Sequence, residues 1–180
     1  MSDELVVVTV TYSPGGHLDR FLATLSHATE RPVRVVMADN GSTDGAPEDA
    51  EQRYPNATLL RTGANLGYGG AVNRAVEKYL HDPSYAGDPE FFVVANPDVQ
   101  WGPGSIDALL EAATRWPRAG ALGPRTTTAM RACPSRYSAS TSPRRSARTS
   151  SSGPTMQLVH LLKTMGSVGT GMFDSAAWSA

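Results

Sequence analysis

Five consecutive apolar residues, Phe91-Phe92-Val93-Val94-Ala95, stop abruptly at Asn96-Pro97-Asp98-Val99. The run is too short for a helix, rich in aromatic and β-branched side chains, and bounded by turn formers, which predicts a strand buried on both faces of a sheet. Pro97 ends it and leaves Asp98 at the carboxyl end of a central strand, where open α/β sheets bind ligands. A carboxylate at that place suits a hard divalent cation, Mg²⁺ or Mn²⁺, and such a cation commonly arrives with phosphates attached. The competing reading of Asn-Pro-Asp is a polar turn and nothing more, because all three residues are frequent in turns.

The flanking chain supplies what a central strand needs. Leu5 to Tyr12 is a second β-branched run, broken by Pro14-Gly15-Gly16, after which Leu18, Phe21, Leu22 and Leu25 fall at helical spacing. His17 and His27 lie at the ends or on the polar side of that helix and are read as surface residues. Val33 to Ala38 predicts another strand, Pro47 to Tyr54 a short acidic helix, and Ala57 to Arg61 a third strand. Asn65 to Asn73 opens a helix continuing to Leu80. Beyond Asp98, Ser105 is placed as the cap of a helix with Ile106, Leu109, Leu110 and Ala113 on its buried face, and Ala119 to Gly123 as a short edge strand. Strands alternating with helices predict an α/β fold with a mostly parallel, doubly wound, Rossmann-like sheet in one domain over residues 1–125.

Four of these strands end in polar or glycine-rich clusters. Asp39-Asn40-Gly41-Ser42-Thr43-Asp44-Gly45 can be structural throughout, since such side chains satisfy backbone groups in turns and caps. That reading explains Asp39 least well, because the last strand position aims its carboxylate over the sheet rim. In Asn65-Leu66-Gly67-Tyr68-Gly69-Gly70-Ala71-Val72-Asn73 the glycines serve either tight helix packing or the approach of an anion such as a diphosphate to free helix amides. Neither G-x-G-x-x-G nor the P-loop pattern is present, which disfavours those forms of dinucleotide and ATP binding.

The acidic start Met1-Ser2-Asp3-Glu4 lacks the basic flank of a signal peptide, no run of apolar residues is long enough to span a bilayer, and Cys133 is the only cysteine. These features together suggest a reducing, cytoplasmic setting. The formal net charge of −1 conceals a segregation: residues 1–111 carry 16 acidic and 7 basic side chains, whereas residues 112–173 hold no Asp or Glu against eight Arg and one Lys. Thr126 to Thr155 is Ser-, Thr-, Arg-, Ala- and Pro-rich without apolar periodicity, so residues 126–180 are expected to form a poorly ordered, low-complexity basic tail. Within it Gln157 to Met165 suggests one helical segment.

The strand ending in Thr11-Tyr12, the Asp39–Gly45 loop, the Asn65–Asn73 helix start and Asn96-Pro97-Asp98 together resemble the inverting glycosyltransferases of family two, with the GT-A fold, over about the first 125 residues. The Asn-Pro-Asp-Val form and the Asn-Leu-Gly-Tyr-Gly-Gly-Ala run look most like rhamnosyltransferases. The resemblance implies dTDP-rhamnose as donor and a polyprenyl-diphosphate-linked cell-wall glycan precursor as acceptor, at the inner face of the plasma membrane. It implies that Tyr12 packs on the nucleobase, that Asp39 hydrogen-bonds its edge, and that Asn40, Asn65 and the Gly67 backbone lie beside the nucleotide. Asn96-Pro97-Asp98 stands for the family's DXD motif, with Asp98 holding Mn²⁺ or Mg²⁺ and Asn96 assigned to ribose or water. A departure accompanies these matches. Family members place the acceptor base, a carboxylate, in a downstream half; residues 112–173 contain none, and Asp174 has no recognisable context. No catalytic base is assigned, and the chain is expected to bind donor with little or no transfer of its own.

Two explanations of the tail stand side by side. Out-of-frame reading of a GC-rich gene yields such a composition; alternatively, a genuine basic tail contacts anionic lipid headgroups. Among other functions, a nucleotidyltransferase wants basic residues in the loop after the first strand, and Ser13-Pro14-Gly15-Gly16 has none. A non-catalytic nucleotide-sugar-binding module or scaffold fits the same rim. Nucleic-acid binding by the tail is disfavoured because no aromatic residue beyond Tyr137 is interleaved with its arginines.

Overall fold

The computed structural model describes residues 4–81, 89–123 and 159–163. Six strands, β1 (Leu5–Thr11), β2 (Val33–Asp39), β3 (Ala57–Arg61), β4 (Phe91–Ala95), β5 (Ala121–Leu122) and β6 (Val159–Lys163), form one sheet in the order β3-β2-β1-β4-β6-β5. Four helices accompany them: α1 (Gly16–Leu25), α2 (Ala46–Arg53), α3 (Gly67–His81) and α4 (Ser105–Arg115). The first four strands pair in parallel, and β6 runs antiparallel to both β4 and β5.

All seven residues of β1 are buried, as expected of a strand covered on both faces. Its odd-numbered residues Leu5 and Val7 pack in one cluster with Phe21 and Leu22 of α1, Ala50 of α2 and Ile106 and Leu110 of α4. Its even-numbered residues Val6, Val8 and Val10 pack in another with Ala71, Val72, Ala75 and Tyr79 of α3. The period-two alternation of the strand therefore sorts the helices onto two faces. Each fully buried aliphatic or aromatic side chain contributes about 1.5–3 kcal/mol relative to an exposed one, so these clusters supply the main drive for folding.

The strand order turns around at β1. From β1 the chain winds outward through β2 to β3, then returns to place β4 on the other flank of β1, which makes the gap between the carboxyl ends of β1 and β4 the topological switch point. Beyond β4 the chain is pinned from both directions. The Trp101 amide donates to Thr24 Oγ1 at 3.1 Å, the Gly104 and Ile106 amides donate to the carbonyls of His27 and Ala28, and the Trp101 ring packs on Phe21 at 5.5 Å.

Two local expectations change. Gly104, at φ 64°, caps α4, and Ser105 is its first helical residue; carbonyls of the α1 exit already receive the amides of Gly104 and Ile106, so a serine cap is unnecessary there. Val159–Lys163, expected to be helical within Gln157–Met165, is strand β6. It alternates Leu161 onto the α1/α4 face and Leu162 onto the α3 face, and pairing with β4 and β5 decides its conformation. Ala121–Leu122 is an edge strand, inside the range expected. The expectation for Thr126–Thr155 lies outside the described residues. Among the described residues no helix is long and apolar enough to cross a membrane.

Candidate nucleotide-sugar site

Parallel register aligns Thr11 with Asp39 at the ends of β1 and β2, both on the α1 side of the sheet. Their side chains meet: Thr11 Oγ1 donates to Asp39 Oδ1 at 2.9 Å. The chain then folds back over the carboxylate, which accepts from Ser42 Oγ at 2.5 Å, from the Ser42 amide at 3.1 and 3.2 Å to its two oxygens, and from the Gly41 amide at 3.3 Å. Asp39 is only 2 % exposed. Burial opposes its charge, but the Ser42 hydroxyl, the Thr11 hydroxyl and the two loop amides outweigh burial and hold its carboxyl below the ordinary value of 3.8. Asp39 is thus ionised at neutral pH, and it organises its own loop rather than projecting freely over the rim.

The β1 exit is stapled to the same loop. The Ser13 amide donates to Ser42 Oγ at 2.8 Å, the Thr43 amide to Ser13 Oγ at 3.1 Å, and the Gly15 amide to Asp44 Oδ2 at 2.7 Å. Ser13 takes the left-handed conformation, φ 51°, the one non-glycine residue with positive φ among those described. Such a conformation costs about 1–3 kcal/mol and persists where the surroundings over-determine it, as these crossing bonds do. Beside it Tyr12 stands 64 % exposed, a large aromatic surface held out at the rim on a rigid base.

Asn40 ties the third cluster to the second. It is buried; its Nδ2 donates to the Gly67 carbonyl at 3.0 Å, and its Oδ1 accepts from Thr62 Oγ1 at 3.1 Å and from the Leu66 amide at 3.4 Å. The amide therefore faces the framework, and Asn40 acts on the rim by fixing the start of α3. Asn65 Oδ1 accepts the Gly67 amide at 3.0 Å, and Gly67 itself has φ 70°. Space is open where a Cβ would stand, so only the backbone resists a side chain there. Gly67→Ala is expected to cost about 1–2 kcal/mol, read as a lower urea midpoint with an unchanged slope.

The fourth cluster follows β4, in register beside β1 through Thr9 and Ala95. Asn96 and Asp98 are half-buried in a turn closed by the Val99 amide on the Asn96 carbonyl at 3.2 Å. Tyr68, from the first turn of α3, lies near enough to Asp98 for burial and then that carboxylate to push its phenol well above the ordinary range. Among the described residues no three His, Cys, Asp or Glu side chains converge on a point able to hold a metal. One carboxylate is nonetheless the donor set expected of a Mg²⁺ or Mn²⁺ ion that keeps waters and takes its remaining oxygens from a substrate diphosphate. The chemistry present fits that ion and does not fit a closed structural site.

Thr11, Ser42, Thr62 and Tyr68 were not singled out from sequence as site residues. For Thr11 the usable signal was its position, since two parallel strands that both end in polar loops place their last residues opposite each other.

The sequence profile of glycosyl transferase family 2 matches residues 6–160, and the chain belongs to that family. N-acetylglucosaminyl-diphospho-decaprenol L-rhamnosyltransferase of Mycobacterium tuberculosis, in two strains, is 68 % identical over 127 residues, covering 69 % of this chain and 41 % of its own length. The chain thus spans about two-fifths of the curated relatives it matches. Two solved structures share the fold. Mannosyltransferase PcManGT from Pyrobaculum calidifontis, in complex with GDP-Man and Mn²⁺, has a TM-score of 0.51 at 23 % identity, covering 65 % of this chain and 34 % of that one. S. aureus TarS 1-349, in complex with UDP-GlcNAc, has a TM-score of 0.51 at 18 % identity, covering 69 % and 37 %. The fold is therefore that of the GT-A glycosyltransferases, as the sequence resemblance implied.

Proposed function

We propose that this chain forms the donor-binding half of a rhamnosyltransferase that moves L-rhamnose, with inversion, from dTDP-rhamnose to a polyprenyl-diphosphate-linked glycan precursor. The observation that carries the reading is the stapled rim: two strand ends locked around an ionised Asp39, an exposed Tyr12 beside them, and Asp98 across the switch point between β1 and β4. Tyr12 offers a stacking face to the base, and Asp39, held ionised, accepts from the base edge. Asn65 and the Gly67 backbone lie along the nucleotide, with Asn40 keeping them in place. Asn96 meets ribose or water.

Asp98 holds a divalent cation, Mn²⁺ or Mg²⁺, which when bound neutralises charge on the departing nucleoside diphosphate. The choice of donor leans on the identity to the mycobacterial relative rather than on any contact in the rim. Residues 112–173 offer no carboxylate to deprotonate an acceptor hydroxyl, so this chain binds donor and transfers negligibly.

Calorimetric titration with dTDP-rhamnose, UDP-glucose and UDP-N-acetylglucosamine, each with and without Mn²⁺, tests the proposal. Of the three donors, dTDP-rhamnose is expected to give the tightest saturable binding, strengthened by Mn²⁺ over a weaker metal-free term. Equal heat from all three donors would contradict the specificity, and no heat from any would contradict donor binding itself.

A further inference from the structure

Among the described residues four large apolar side chains stand exposed: Tyr12, Leu66, Leu80 and Trp116. Leu80 and Trp116 fall at helix carboxyl ends, whereas Tyr12 and Leu66 belong to the loops that leave β1 and β3 at the rim. Asn40 ties these two loops together. Its main-chain amide donates at 2.9 Å to the carbonyl of Thr11, in the peptide that leads into Tyr12, and its side-chain Oδ1 accepts the Leu66 amide at 3.4 Å. Leu66 is seated from the other side as well. A Cβ at Gly70 would stand 3.0 Å from the Leu66 Cβ, inside ordinary van der Waals contact, so a glycine at that place lets the leucine lie on the first turn of α3. Held at two points and still 44 % exposed, Leu66 presents a fixed apolar surface to whatever the rim binds.

We propose that Leu66 is a specificity-determining residue for the base of the donor: it lies against the 5-methyl group of thymine while Tyr12 takes the ring face, and so favours thymine over uracil nucleotides. The inference deepens the proposed function and rests on its reading of the rim as a nucleotide-sugar site. Three physical arguments support it. Asp98 follows β4 on one flank of β1, and β2 lies on the other, so the exits of β4 and β2 are two strand spacings, about 10 Å, apart. A nucleoside diphosphate spans that distance, and with its phosphates toward Asp98 its base reaches the β1 and β2 exits, where Asn40 holds Tyr12 and Leu66. Thymine and uracil offer the same hydrogen-bonding edge, so Asp39 does not tell them apart. They differ by one methyl group, which an apolar contact reads. The Asp39–Gly45 loop is polar throughout, and Leu66 is the exposed aliphatic side chain tied to it.

The test titrates the whole chain, in the presence of Mn²⁺, with dTDP and with dUDP, which differ only in that methyl group. Wild type is expected to bind dTDP about fourfold more tightly, the effect of burying one carbon of this size. Leu66→Ala is expected to abolish the preference by weakening dTDP while leaving dUDP unchanged. Leu66→Met, which keeps an apolar side chain of similar volume, is expected to retain it. Equal affinities in the wild type, or a preference for dTDP that survives Leu66→Ala, overturns the methyl contact and leaves the proposed function standing. No binding of either nucleotide by the wild type overturns the donor site and this inference with it. A second measurement does not depend on the folding of a variant. In wild-type chain labelled at leucine methyl groups, a nuclear Overhauser effect from the thymine methyl of bound dTDP to Leu66 is expected, and its absence overturns the proposal.

Discussion

Asp98→Ala is expected to abolish the metal-dependent part of donor binding, weakening dTDP-rhamnose by about two orders of magnitude in the presence of Mn²⁺. The same variant should bind the nucleotide without metal about as the wild type does, because Tyr12 and the Asp39 loop do not depend on the cation. Calorimetry in matched buffers with Mn²⁺ and with chelator separates the two terms. The effect is large because Asp98 is the carboxylate at the β4 exit, and among the described residues no cluster of three ligating side chains stands in for it. Full retention of the metal-dependent term in Asp98→Ala would remove the cation from this rim.

Asp39→Ala is expected to destabilise the fold by about 3 kcal/mol or more. It leaves the Thr11 hydroxyl, the Ser42 hydroxyl and amide and the Gly41 amide without their shared acceptor, and hydrogen bonds to a charged group contribute about 1.5–3 kcal/mol each when a buried partner is stranded. These bonds share one carboxylate, so their loss is not additive. The pH dependence has a definite sign. A carboxyl held below its ordinary value of 3.8 in the folded state contributes stability that is complete above that value. That contribution is lost as pH falls through the folded-state value, where the native state finally takes up the proton. Urea midpoints at about pH 7 and about pH 3 should therefore converge between wild type and Asp39→Asn on the acid side and separate on the neutral side. A constant difference across that range would mean that Asp39 is not the ionised centre of the loop.

Donor binding should also fall in the Asp39 variants, as a consequence of the opened loop and of the loss of the contact to the base proposed above. Asp39→Asn, which keeps shape and loses charge, is the more informative of the two. Its fold at neutral pH should be weakened less than that of Asp39→Ala, since Oδ1 still accepts from Thr11 and Ser42.

Much of the α/β frame was written in local pattern. The β-branched runs Leu5–Thr11 and Val33–Ala38 and the helical spacing of Leu18, Phe21, Leu22 and Leu25 carry their own periodicities, which tertiary packing reinforced. What the pattern left open depended on partners distant in sequence. VHLLK suits a helix or a strand equally well by composition, and only β4 and β5, which flank it in the sheet, settle the matter. Ser105 is a good cap by type, yet carbonyls from the α1 exit had already taken that role. The bond from Thr11 to Asp39 is a fact of register, and register belongs to the sheet rather than to either strand. The inward turn of Asn40 likewise follows from where Gly67 and Thr62 arrive. Residue types named the rim, and the folded chain divided them into those that build it, such as Asn40 and Ser42, and those that face outward, such as Tyr12.

Asp98 is proposed to present a divalent cation to a nucleoside diphosphate at the gap between β1 and β4. Crystals grown with dTDP and Mn²⁺, with diffraction recorded on both sides of the manganese absorption edge, test it directly. One anomalous peak is expected within bonding distance of an Asp98 carboxylate oxygen and of the diphosphate. A manganese peak on another face, or a diphosphate bound with no metal near Asp98, would contradict it.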